Sequence, residues 1–182
     1  MRLFVAIDLG EKVVQDLVSA QRKLAGDYDI SLVRPENMHL TLKFLGDVSE
    51  PMTGRIEKAI SESLAPAFRI SLQGIGFFGS PPKVIWAGVR DGREEFISLA
   101  GRLEKGLSFV RREEREPNPH LTIARVSSGR NSHDLVRNIQ SMKDMRFGIV
   151  EVREIKLKKS VLTPKGPVYS DVKVFPLKES GG

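Results

Sequence analysis

Asn37-Met38-His39-Leu40-Thr41-Leu42 returns later in the chain as Asn118-Pro119-His120-Leu121-Thr122-Ile123. The two copies hold two of the chain's three histidines, and a shared Asn, His, Leu and Thr in the same order point to internal duplication. On a strand, residues i and i+2 face the same side, so His39 with Thr41, and His120 with Thr122, each present an imidazole beside a hydroxyl. Leu40, Leu42, Leu121 and Ile123 then face the other way and anchor both strands in a core. Two duplicated lobes packed about a pseudo-twofold axis bring both His–Thr pairs to one cleft. Such a cleft suits a ligand with oxygens on both sides.

Outward from the repeat, strands and helices alternate. Arg2–Leu9 is apolar on both faces, as in a central strand. A helix is expected from Glu11 to Ala25, with Val13, Val14, Leu17, Val18 and Leu24 at helical spacing. The strand His39–Leu45, closed by Gly46, leads to a helix from Glu50 to Leu64. Strands follow at Phe68–Phe78 and Val84–Val89, separated by Gly79-Ser80-Pro81-Pro82. A helix from Glu94 to Val110 and a mixed-charge loop, Arg111 to Glu116, precede the strand His120–Val126. Asn131 or Ser132 can cap a helix reaching Met142. Phe147–Val161 and Pro167–Phe175 read as a hairpin around Thr163-Pro164-Lys165-Gly166, before a frayed tail, Glu179–Gly182. Direct strand-to-strand pairing favours α+β with largely antiparallel sheets flanked by helices, bilobal, over a doubly wound parallel sheet. Residues 1–182 form one domain in this reading.

The chain has 182 residues, 40% hydrophobic and 29% charged, and no apolar run approaching the roughly 20 residues that cross a bilayer. The N-terminal run is interrupted early by Asp8 and reads as a first strand rather than a secretory signal. Cysteine is absent, which removes disulfides, thiolate nucleophiles and cysteine-ligated metals. A cytoplasmic location is expected, without membrane association, and a monomer. A net charge of +6 and a pI near 9.7 favour a polyanionic partner, with solvated surface as the equal alternative. No Gly-x-Gly-x-x-Gly or Walker-type phosphate loop occurs, so no nucleotide cofactor is expected.

Two imidazoles with ordinary pKa values near 6.5 can hold opposite protonation states at neutral pH, one taking a proton from water while the other protonates a leaving oxygen. That suffices for phosphodiester hydrolysis without a metal. Thr41 and Thr122 can donate hydrogen bonds to the non-bridging oxygens of a five-coordinate transition state. Arg125 can add a bidentate contact to the phosphate. Its odd spacing from His120 puts it on the far face of an ideal strand, so a bulge or strand end must re-aim it. No metal site is expected, because His-x-Thr is not a chelating spacing and no third His lies near the motifs. His133 has no Thr partner and reads as a solvated first-turn residue. Phe44 is a candidate for substrate binding; it and Trp86 can stack on a base, although an aromatic in an apolar strand is more often core. Lys156, Lys158 and Lys159, with Lys165, read equally as a guide for RNA or as a solvated hairpin face.

These residues resemble the 2H phosphoesterase superfamily, and within it the RNA 2′,3′-cyclic phosphodiesterases, also called 2′-5′ RNA ligases. The resemblance runs through Arg2-Leu3-Phe4-Val5-Ala6-Ile7, Pro35 to Gly46, Val84-Ile85-Trp86-Ala87-Gly88-Val89, Pro119 to Arg125, and Gly166-Pro167 with Tyr169. It departs at Leu32-Val33, where many relatives carry Trp-Val. It implies a bilobal α+β fold, His39 as general acid, His120 as general base, and a 2′-phosphate product. RNA ends bearing a 2′,3′-cyclic phosphate, tRNA fragments among them, are the implied partners. Small cyclic nucleotides, 2′-5′ linked oligonucleotides, ATP-independent ligation and a non-catalytic RNA-end binding module remain the alternatives.

Overall fold

Leu3, Val5 and Ile7 alternate with Phe4, Ala6 and Asp8, and the segment forms β1 (Arg2–Asp8), an inner strand of a four-stranded sheet. The structure, a computed structural model, describes residues 1–113 and 116–179. Residues 114 and 115 of the expected Arg111–Glu116 loop, and 180–182 of the tail, lie outside the described residues. After β1 come α1 (Glu11–Lys23), β2 (Ile30–Leu32), β3 (His39–Asp47), α2 (Thr53–Glu62), β4 (Phe68–Phe78), β5 (Val84–Val89) and α3 (Arg93–Gly106). Then follow β6 (His120–Val126), α4 (Ser132–Ser141), β7 (Arg146–Val152), β8 (Glu154–Thr163) and β9 (Gly166–Pro176). The fold is α+β: one sheet runs β3-β1-β8-β9, the other β2-β6-β5-β4-β7, with antiparallel neighbours throughout.

The structure departs from the sequence reading in three places. Phe147–Val161, expected as one strand, divides at Arg153: β7 pairs with β4 and β8 pairs with β1, in different sheets. Buried Val150 and Val152 before the division and Ile155 and Leu157 after it alternate in opposite phase, so the period-2 pattern slips by one residue where the chain changes sheet. β2 is an addition to the expected strands; it is a short edge strand on β6, and Leu32 in it is exposed. The helix expected from Glu50 opens as a 3₁₀ turn, Glu50–Met52, in which Pro51 occupies a first-turn position that needs no N–H partner.

Two of the helices, α1 and α3, cross between sheets. α1 follows β1 yet packs on β7 and β6, burying Val13, Leu17 and Ala20. α3 follows β5 yet packs on β3 through Phe96, Leu99, Ala100 and Leu103. One continuous apolar cluster results, drawing on both sheets. Lys43 is buried in it, its ammonium donating to Glu104 of α3 and, at 2.9 Å, to the Arg111 carbonyl. This exchange brings β3 and β6, the two motif strands, against one another. Among the described residues no helix is long and apolar enough to cross a membrane.

Candidate active site

Both motif strands carry a bulge at the same place in the repeat. Val5 pairs with Lys43 and Ala6 with Thr41, which leaves Leu42 as an extra residue; Ile85 pairs with Ala124 and Trp86 with Thr122, which leaves Ile123. An extra residue reverses the facing order beyond it. Phe44 therefore shares a face with His39 and Thr41, and Arg125 shares one with His120 and Thr122, while Leu40, Leu42, Leu121 and Ile123 enter the core. The bulge at Ile123 is fixed from behind. Gln21 of α1, only 5% exposed, donates from Nε2 to the Ile123 carbonyl and to the Val33 carbonyl, both at 2.8 Å. The Val33 N–H reaches the same Ile123 carbonyl at 2.9 Å.

His39 sits in an enclosed, aromatic setting. Its ring centroid lies 4.9 Å from Phe4 and 5.2 Å from Tyr169, the latter edge-on, and Phe44 stands 6.3 Å from Phe4. Phe44 is 51% exposed, so its ring is presented rather than packed as core. Asn37 donates from Nδ2 to the Pro167 carbonyl at 3.0 Å, tying the first motif to the β8–β9 turn. Asp8 is the cross-strand partner of His39 and belongs to a closed ring of four charges. Lys156 lies 2.8 Å from both Asp8 and Asp171; Lys158 lies 2.9 Å from Asp8 and 2.7 Å from Asp171. Burial would raise the Asp8 carboxyl, but the two ammoniums outweigh it and hold it below its ordinary value. Burial is also the main influence on His39 and lowers its pKa to about 4. The Asn37 backbone and Asp8 oppose that shift, and Lys158 adds to it.

His120 is more open. Its Nδ1 is 2.7 Å from the Asn118 carbonyl; with the proton on Nδ1, that leaves Nε2 as the free nitrogen. Phe78 packs edge-on against it at 5.0 Å and lies 5.3 Å from Trp86. Trp86 lies over Gly76, where an added Cβ would come within 2.4 Å of the indole. Its Nε1 is buried without a hydrogen-bond partner. Arg125 reaches from this sheet toward the other: burial raises the Tyr169 hydroxyl above its usual range, and the Arg125 charge opposes that rise.

The structure thus gathers His39, Thr41 and Phe44 on one strand face, and His120, Thr122 and Arg125 on the face of the adjoining strand. His133 is exposed in the first turn of α4, outside both motif strands. Lys156 and Lys158, read as a guide for RNA or as solvated, are neither; they are held by Asp8 and Asp171. Sequence reading did not single out Phe4, Asp8, Phe78 or Gln21. Phe4 and Asp8 had a faint signal, since they share the alternate face of the first strand, and Asp8 ends its apolar run. Among the described residues no three His, Asp or Glu side chains gather as a metal-holding group.

A repeated His-x-Thr on paired, identically bulged strands, set between two antiparallel sheets, is the architecture of a phosphoesterase. Residues 7–86 and 88–169 match the family LigT like Phosphoesterase, and the chain belongs to it and is an enzyme. A curated RNA 2′,3′-cyclic phosphodiesterase of Archaeoglobus fulgidus is 38% identical over 178 residues, covering 96% of this chain and 99% of that protein. A protein of the same name from Methanothermobacter thermautotrophicus is 39% identical over 185 residues, covering 97% and 99%. The crystal structure of TT0787 of Thermus thermophilus matches with a TM-score of 0.82 and 30% identity over 100% of both chains.

Proposed function

We propose that this chain, as a single domain of two pseudo-symmetric lobes, hydrolyses RNA 2′,3′-cyclic phosphate ends to 2′-phosphate ends without a metal. The observation that carries the reading is the matched pair of bulged strands, each aiming an imidazole and a hydroxyl at the same cleft. The name of the two curated relatives supports the substrate. Water attacks phosphorus and gives a proton to one histidine; the bond from phosphorus to O3′ breaks, and O3′ takes a proton from the other. Thr41 and Thr122 donate to the non-bridging oxygens, and Arg125 offers two parallel N–H donors to the charge that builds there. Phe44 and Tyr169 wall the ribose and base side.

The family resemblance gives His39 the acid role and His120 the base role. Burial keeps His39 neutral in the free site, so the bound phosphate anion has to raise the imidazole pKa for the ring to take up a proton from solvent and serve as the acid. A 5′-hydroxyl in place of water would give a 2′-5′ linkage, with the cyclic phosphate supplying the energy that ATP supplies elsewhere. The test is an RNA ending in a 2′,3′-cyclic phosphate, incubated in EDTA, with the product end identified. A 2′-phosphate formed at an undiminished rate is expected. A 3′-phosphate, or an inert enzyme restored by zinc or magnesium, would overturn the reading, and tight binding without turnover would leave a binding module.

A further inference from the structure

The face of the five-stranded sheet that bears His120 continues well beyond the motif. β5 alternates regularly, so Trp86, Gly88 and Arg90 lie on that face, with Gly88 directly across from His120. The next strand carries its irregularity at Gln73 and Gly74, which keeps Ser71 and Gln73 on the same face, and Gln73 pairs in turn with Arg146 of β7. A row therefore runs His120, Gly88, Gln73, Arg146 across four strands. Gly88 puts no side chain in its way; a Cβ there would meet the Gln73 carbonyl at 3.0 Å. With strands about 4.8 Å apart, the row is roughly 14 Å long, and the Arg90 backbone lies on the order of 8 Å from that of His120.

At the far end of this row is a recess of about 350 Å3 whose lining includes Ser71, Gln73, Arg90, Asp91, Arg146 and the exposed Ile149. Arg90 donates from Nη1 to Gln73 Oε1 at 2.8 Å, which steadies the guanidinium and leaves its other N–H groups free of that bond. Asp91 accepts from Ser71 Oγ at 2.6 Å. Among the described residues neither Arg90, Arg125 nor Arg146 has a carboxylate within ion-pair distance. The cations on the corresponding face of the other sheet, Lys156 and Lys158, are matched one for one by Asp8 and Asp171. Unpaired guanidiniums at a recess attract phosphate through bidentate, charge-assisted bonds, whereas a neutral ring of four does not.

We propose that the RNA strand upstream of the cyclic phosphate lies on the five-stranded sheet, crossing Gly88 and Gln73, with its phosphodiesters held by Arg90 and Arg146. The site is then one for an oligoribonucleotide rather than a cyclic mononucleotide. A single strand advances about 3.4 Å per nucleotide when stacked and more when splayed, so the row accommodates roughly two to four nucleotides. The proposal rests on the RNA-end reading of the catalytic cleft, and it deepens that reading by giving the substrate a direction and a length.

The experiment compares 2′,3′-cyclic AMP, which has no upstream phosphate, with a trinucleotide RNA ending in a 2′,3′-cyclic phosphate. The unaltered enzyme should show the lower KM on the trinucleotide. Arg90→Ala combined with Arg146→Ala should raise that KM by about tenfold with kcat unchanged, leave the mononucleotide untouched, and flatten the dependence of KM on salt. Equal losses on both substrates, or no loss on the trinucleotide, would overturn the proposal. Anisotropy of a fluorescent trinucleotide with a 2′-phosphate end reads the same subsite without turnover. If the enzyme hydrolyses neither substrate, the catalytic reading fails, and an unchanged anisotropy in the double variant would sink the RNA path independently.

Discussion

The two histidines occupy the same place in the same repeat, on strands bulged at the same position, yet their surroundings differ in kind. His39 is enclosed by Phe4 and Tyr169 and lies beside a neutral ring of two aspartates and two lysines. His120 meets Phe78 edge-on and opens onto a face on which Arg69 is paired with Glu151, while Arg90, Arg125 and Arg146 have no carboxylate partner among the described residues. The motif alone does not create this asymmetry, since both copies supply the same imidazole and hydroxyl. It comes from what the neighbouring strands contribute: Asp8, Lys156, Lys158 and Asp171 on one side, Gly88, Arg90 and Arg146 on the other. One half sets the protonation state of an imidazole. The other half leaves Arg90, Arg125 and Arg146 without carboxylate partners among the described residues, as the proposed RNA path requires.

The most forceful way to break the comparison is to remove either imidazole. His39→Ala and His120→Ala should each slow turnover by about 10²–10⁴-fold, with circular dichroism and melting unchanged, while His133→Ala should be neutral. An equal loss at His133 would show that the wrong pair had been chosen. Arg125→Ala, which removes a guanidinium whose charge is felt at Tyr169 of the other sheet, should cost roughly ten- to a hundredfold in kcat/KM, and Arg125→Lys should restore only part, because a single ammonium cannot make the bidentate contact. Gln21→Leu tests the bulge behind Arg125. Leaving the Val33 carbonyl without its side-chain donor, and the Ile123 carbonyl with the Val33 N–H alone, should lower unfolding stability by about 1–3 kcal/mol. It should also reproduce part of the Arg125 defect; full activity at lowered stability would mean that the bulge holds without Gln21.

The repeat was legible because it is local: a few consecutive residues, each with a required chemistry, repeated in order. The α+β class followed from alternation and turn residues in the same way. Arg125 was half legible, since its spacing from His120 shows that a bulge is needed but only the pairing of β5 with β6 supplies it; Phe44, a stacking candidate that reads more readily as core, is turned outward by the matching bulge where β1 pairs with β3. The change of sheet at Arg153 was only faintly legible, because the one-residue slip in alternation between Val152 and Ile155 reads as a bulge as readily as a change of partner. Gln21 was invisible for a different reason. Its role is a contact with Ile123, a hundred positions away, and a polar residue on the inner face of α1 looks like an interruption until its acceptors are known. The charge ring was misread because lysines in a row look free until the aspartates that face them are placed.

Protonation sharpens the comparison with smaller effects. Because the folded pKa of His39 is lowered from 6.5 to about 4, the chain holds that imidazole neutral where an unfolded chain would charge it. The stability this contributes is fully present above pH 6.5 and is lost as pH falls through about 4. In an NMR titration the His39 ring should stay neutral down to that range in the free enzyme. Its pKa should rise when a 2′-phosphate product is added; no rise would take the acid role from His39 and give it to His120.

The smallest expected change comes from opening the charge ring. Asp171→Asn leaves Lys156 and Lys158 to share Asp8, with Glu154 3.9 Å from Lys156, so the ring beside His39 changes by one positive charge. An added positive charge disfavours the imidazolium, and the His39 titration should move further down. The same substitution frees part of an ammonium on the face that bears His39, so RNA binding should tighten slightly and its salt dependence should steepen. The two readouts separate the functions assigned to the halves. A His39 titration that moves while RNA affinity stays fixed would mean the ring acts on protonation alone. RNA affinity that rises as much as it falls on loss of Arg90 and Arg146 would mean that the strand can lie on either sheet, and the asymmetry between the halves would then not direct the substrate.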